Sequence, residues 1–179
     1  MKKLVLGTVL GGAVVFAWGA VSWMVLPWHR GMLHSFTNEV AMAKAVQQNA
    51  PQAGVYVLLP SHWQNPTPEQ KAVPKGLMLF GAVRRDAPDL RVYYVRGLAV
   101  EMVGAFLVTW LLLMLPDLSY GARVKVVTMV ALTAGALVRL SDWTWWSFST
   151  QFTLLSILDL VIGWFLAGLV IANIAHRES

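Results

Sequence analysis

The chain has 179 residues, of which 57% are hydrophobic and only 13% charged, against roughly 25% charged in an ordinary soluble domain. Its net charge is +5, with 14 glycines, 9 tryptophans and no cysteine. The missing cysteine excludes thiol catalysis, disulfides, iron–sulfur clusters and thiolate zinc sites, and the long apolar runs exclude a soluble globule.

A bilayer core about 30 Å thick needs about 20 apolar helical residues. Leu4 to Leu26 meets this without a single charge, behind Lys2 and Lys3. The run is too long for the apolar stretch of a secretory signal, and Trp18 and Ala20 do not make an A-x-A site. An uncleaved anchor is expected, with cleavage after Ala17 as the alternative. Residues 28–96 follow as the only segment long enough to fold outside a membrane. There, Thr37 or Ser35 is expected to cap a helix running to about Asn49, with Phe36, Val40, Ala43, Val46 and Ala50 on one face. Pro51 and Gly54 end it. Gly54–Pro60 and Gly76–Val83 read as strands, Ser61–Lys75 as a loop, and Arg91–Val95 as a third extended piece.

The second span is Gly97–Leu115, closed by Pro116; the third is Val124–Leu140; the fourth is Phe152–Ala175. All are read as helices, because backbone exposed to lipid must satisfy its own hydrogen bonds. The short connector Pro116–Arg123 suits antiparallel neighbours. The expected fold is therefore an α-helical integral membrane protein with four transmembrane helices and a small α/β extracytoplasmic insertion. Its parts are residues 1–27, 28–96 (the insertion) and 97–179. Lys2, Lys3, Arg123, Lys125 and the tail His176–Arg177 fall on one side, while the connector Ser141–Gln151 holds no lysine or arginine. Both termini are thus expected in the cytoplasm, in a multi-pass protein of a bacterial inner membrane. Trp23, Trp28, Trp143, Trp145 and Trp146 are expected as anchors at the outer interface.

Four charges fall at a similar depth in the outer half: Glu101, Arg139, Asp142 and Asp159. Each is costly alone, about 2.5–3.5 kcal/mol at mid-membrane, so Arg139 is expected to pair with Glu101, Asp159 or both. Small residues share faces with these charges: Gly7 and Gly11 in the first span, Gly104 in the second, Gly135 in the third, and Gly163 and Ala167 in the fourth. Such residues let helices approach closely. The cluster reads either as a structural ion pair or as a site for protons, a cation or a headgroup. The inner half holds no matching charges, which argues against a complete conduit.

His29, His34 and His62 carry ligand types suited to copper or zinc, yet the five-residue spacing of the first pair misses the i, i+4 geometry of a helical pair. The spans contain no histidine pair for haem, and no hydrolase, phosphate-loop or zinc-protease motif is present. No cofactor is expected, and the basic balance reflects membrane loops rather than nucleic acid. The expected partners are the bilayer and a membrane protein or a second copy of the chain. The reading that follows is a non-catalytic interaction or assembly subunit of a larger membrane complex. The alternatives are a small transporter or lipid-handling protein built on Glu101, Arg139 and Asp159, and an extracytoplasmic metal-binding protein. The insertion's two or three strands are expected to cap the helices or to accept a partner strand at an unpaired edge.

Overall fold

The computed structural model describes residues 1–176; Arg177, counted above among the basic residues of the tail, lies outside them. Among the described residues the chain is mostly helical, with four helices long and apolar enough to cross a membrane and one two-stranded sheet. In chain order the elements are α1 (Lys2–Met24), α2 (Glu39–Asn49), β1 (Gly54–Leu58), α3 (Pro68–Lys71), β2 (Leu79–Val83), α4 (Leu90–Leu113), α5 (Tyr120–Trp146) and α6 (Thr150–His176). Contacts divide them into two compact units. One is Met1–Leu33 with the chain from Asp89 onward; the other is His34–Pro88.

In the helical unit, α1 packs against α4 and α6, and α5 packs against α6. The short connector between α4 and α5 does not make them a closely packed pair, as its length suggested; each finds its main partner elsewhere. Val15, Ala105, Val108, Leu112, Val127, Ala167, Ile171 and Ala175 form the core. Small residues line the contacts where the backbones come closest. A Cβ on Gly12 would lie 3.0 Å from the Met102 Cα, so α1 and α4 could not keep this separation with any larger residue there. Gly7 faces Thr109, Gly11 faces Ile171 and Ala105, Gly104 faces Trp164, and Gly135 faces Leu160.

Three helices exceed their expected length. Asp89 caps α4 by accepting from the Arg91 backbone N–H at 2.9 Å, so Arg91–Val95 is helical rather than extended. Its β-branched and aromatic residues favour strands in water, but here they continue a helix already propagated by the apolar span. Ser119 caps α5 through the Ala122 N–H. At its other end α5 runs to Trp146, so most of the expected Ser141–Gln151 connector is helical. Ser147, with φ 56°, reverses the chain in the left-handed region.

Arg123 closes the α4–α5 connection. Only 3% exposed, it donates from Nε to the Leu118 carbonyl at 2.9 Å, from Nη1 to Leu112 at 2.9 Å and from Nη2 to Pro116 at 2.6 Å. Those carbonyls belong to the end of α4 and the connector, where a helix leaves acceptors unpaired. A planar fork of donors can reach all three.

In the second unit, Asn38 rather than Thr37 or Ser35 caps α2, accepting from the Ala41 N–H at 2.9 Å. All three residues are good caps; Asn38 stands directly before the Glu39 turn. Arg85 donates to the carbonyls of Gln47 and Ala50 at the other end of that helix, a place that favours a cation. β1 and β2 pair antiparallel, from Gly54↔Val83 to Leu58↔Leu79, both shorter than the runs expected. The intervening Ser61–Lys75 is not wholly loop. A 3-10 turn spans Pro60–His62, and α3 begins at a capping box. There the Thr67 hydroxyl accepts from the Gln70 N–H, and the Gln70 side chain accepts from the Thr67 N–H.

Candidate functional site

A polar knot lies where α1, the 3-10 turn Pro27–His29 and α6 meet. Its centre is Asp159, whose side chain is 15% exposed. The carboxylate Oδ1 accepts from Trp18 Nε1 at 2.7 Å and from the Ser22 hydroxyl at 2.7 Å; Trp18 Nε1 also lies 3.1 Å from the Asp159 carbonyl. Oδ2 stands 3.4 Å from His29 Nε2. Ser22 in turn lies 2.8 Å from His29 Nε2 and accepts from Trp28 Nε1 at 3.1 Å. Trp23 stacks on the His29 ring at a centroid distance of 3.9 Å, and Trp18 meets Trp28 edge to face.

Donor arithmetic sets the tautomer. Ser22 has one hydroxyl proton, and Asp159 receives it. His29 Nε2 therefore faces two acceptors, the Ser22 oxygen and Asp159 Oδ2, and must carry a proton itself. His29 is 4% exposed, and its Nδ1 is buried without a partner.

Local sequence explains the placement. Trp18 and Ser22 are four apart and share one face of α1. Pro27 starts the turn that folds His29 back over Ser22. Gly163, one turn beyond Asp159 on α6, leaves the space Trp18 needs: a Cβ there would lie 2.8 Å from Trp18 Cδ1.

Serine, histidine and aspartate are the residue types of a hydrolase triad, but the connectivity differs. In a triad the acid holds one imidazole nitrogen and the serine the other. Here both approach Nε2, and the serine proton is already held by the carboxylate. The knot supplies hydrogen-bond donors to a carboxylate within an apolar helix; it does not activate a nucleophile.

The expected ionic cluster needs correction. Arg139 pairs with neither Glu101 nor Asp159. Its Nη1 lies 3.1 Å from Asp142 Oδ2, one turn along the same helix, with the two side chains 41% and 27% exposed. That i, i+3 pair forms without reaching to another helix, and Asp159 is already supplied with donors by α1 and the turn after it. Glu101, half-buried on α4, has no hydrogen-bonding or ionic partner among the described residues. Yet Glu101, Arg139 and Asp159 do border one space. A cavity of about 300 Å³ is lined by them together with Trp18, Trp23, His29 and Ser156.

Of the tryptophans expected as interface anchors, Trp23 and Trp28 also belong to the knot, Trp143 donates to the Thr150 hydroxyl at 3.2 Å, and Trp23, Trp143, Trp145 and Trp146 are exposed. Among the described residues no three histidine, aspartate or glutamate side chains converge to hold a metal ion. His29 Nε2, a candidate ligand atom, is occupied by Ser22. His34 and His62 lie in the other unit and are exposed. Trp18 and the pairing of Ser22 with Asp159 were not evident as site features. The usable signal was the i, i+4 spacing of a tryptophan and a serine in an otherwise apolar span.

Comparison with protein-family models, with curated proteins and with solved structures gives no match, so the geometry alone carries the functional reading.

Proposed function

We propose that this protein is a non-catalytic interaction or assembly subunit of a larger membrane complex. It sits in a bacterial inner membrane with both termini cytoplasmic and residues 28–96 as the extracytoplasmic insertion. The observation that carries this reading is the sheet. Val55, Val57 and Ala82 share one face through the β1–β2 register, and all three are exposed, Val55 at 69% and Val57 at 49%. Within His34–Pro88 only Ala50 and Pro60 are buried among the described residues. A two-stranded sheet with so little core is marginal by itself, and an exposed apolar sheet face is suited to a partner. The orientation rests on Lys2, Lys3, Arg123 and Lys125 lying at one end of the helices.

A photocrosslinking amino acid at Val57, compared with one at Gln64 in the exposed loop, tests the reading in native membranes. A single adduct of defined mass from position 57 alone supports it, and an adduct of twice the chain's mass names a second copy as the partner. No adduct from position 57, with a solitary chain on purification in mild detergent, refutes it.

The cavity favours a second reading, a lipid-handling or small transport protein using Glu101, Arg139 and Asp159. It predicts loss of function in Glu101→Gln with folding retained.

A further inference from the structure

We propose that the cavity bordered by Glu101, Arg139 and His29 binds the headgroup of a zwitterionic phospholipid carrying a primary ammonium, with the ammonium on Glu101 and the phosphate on Arg139. This rests on the second reading above, that the cavity takes a ligand.

Size comes first. About 300 Å³ lies at the lower end of small-molecule sites, roughly 300–1,000 Å³. That is room for a headgroup, with the acyl chains left among the apolar helices.

Charge comes next. The lining holds two carboxylates, Glu101 and Asp159, and one guanidinium, Arg139, which already meets a third carboxylate on Asp142. The excess is negative, which favours a ligand that presents a cation. Asp159 is committed to Trp18 and Ser22, which leaves Glu101, a carboxylate without a partner in an apolar helix. Such a group is costly unless a cation or proton reaches it.

A primary ammonium has three N–H donors to offer Glu101, whereas a trimethylated one has none. The Trp18 and Trp23 rings in the wall favour a cation further. Arg139 uses Nη1 for Asp142, and its guanidinium retains further donors in the geometry that suits phosphate oxygens.

The test uses the full chain, delipidated in detergent. Native mass spectrometry measures its affinity for phosphatidylethanolamine, phosphatidylcholine and phosphatidylglycerol of identical acyl chains. Saturable binding of one phosphatidylethanolamine, about tenfold tighter than the other two, is expected from one charge-assisted hydrogen bond. Glu101→Gln should remove that preference without changing the α-helical circular dichroism. The ranking on the unaltered chain decides the matter even if the variant does not fold. Equal or tighter phosphatidylglycerol binding overturns the ammonium assignment and leaves the cavity a lipid site. Absence of saturable binding by any of the three overturns the cavity reading as well. Full competition by water-soluble O-phosphoethanolamine overturns the bilayer as the source, and failure to compete supports it.

Discussion

Gly163→Ala tests whether one missing methyl group holds the polar knot together. The new Cβ would lie 2.8 Å from Trp18 Cδ1 and 3.5 Å from its Cγ, where ordinary carbon contacts are about 3.5–4.0 Å. The indole must retreat by roughly 0.7 Å or more to restore such a contact. Asp159 is on the same helix, so the ring withdraws from both residues at once. The 2.7 Å bond from Trp18 Nε1 to Asp159 Oδ1 then stretches to the edge of hydrogen-bonding range. Overpacking costs about 1–3 kcal/mol, and a hydrogen bond to a charged group contributes about 1.5–3 kcal/mol. The two losses are alternatives in part, since the ring either clashes or moves. Alanine's helix preference returns about 1 kcal/mol. The net expectation is a destabilisation of about 1–3 kcal/mol. Reversible unfolding in mixed micelles measures it, as a double-mutant cycle with Trp18→Phe. Phenylalanine lacks the pyrrole edge and the Nε1 donor, so in that background Gly163→Ala should be neutral or stabilising. Additivity within about 0.5 kcal/mol would mean that Gly163 does not make room for Trp18, and the account of the knot would be wrong.

Two further outcomes follow from the geometry. Arg123→Ala should lower stability severely, by about 1–3 kcal/mol for each carbonyl left buried without a donor. Arg123→Lys should recover only part of this, because an ammonium lacks the planar fork; equal unfolding midpoints for Lys and Arg would contradict the role given to the guanidinium. At Glu69, hydrogen bonds from its own backbone N–H and then from Thr67 hold the carboxyl below the usual carboxylate range. A depressed folded-state value means that its contribution is present above the unfolded pKa and is lost as pH falls through the folded one. Titration by carbon-detected nuclear magnetic resonance should give a low midpoint that rises in Thr67→Ala; an unchanged midpoint would remove Thr67 as a cause.

How much could be read beforehand differs by element. The four apolar runs were legible as helices because hydrocarbon leaves the backbone no other way to satisfy itself, and the two strands because their apolar runs end at glycine and proline. Helix ends were less legible. Thr37 or Ser35 was expected at a cap that Asn38 supplies, and Arg91–Val95 has strand-forming residues that a preceding Asp89 cap draws into α4. Gly7, Gly11, Gly104, Gly135 and Gly163 could be marked as small, but not matched to the residues they admit.

The ionic partners lay beyond the sequence for a different reason. Spacing along the helices led to the expectation that Glu101, Arg139, Asp142 and Asp159 fall at similar depths, since position along a helix follows from residue count. Which of them touch depends on how each helix is rotated and which helix stands beside it, and those follow from packing of the whole unit. Tertiary structure alone decided that α1, not α5, supplies the donors to Asp159, that His29 folds back over Ser22, and that Glu101 is left facing a cavity.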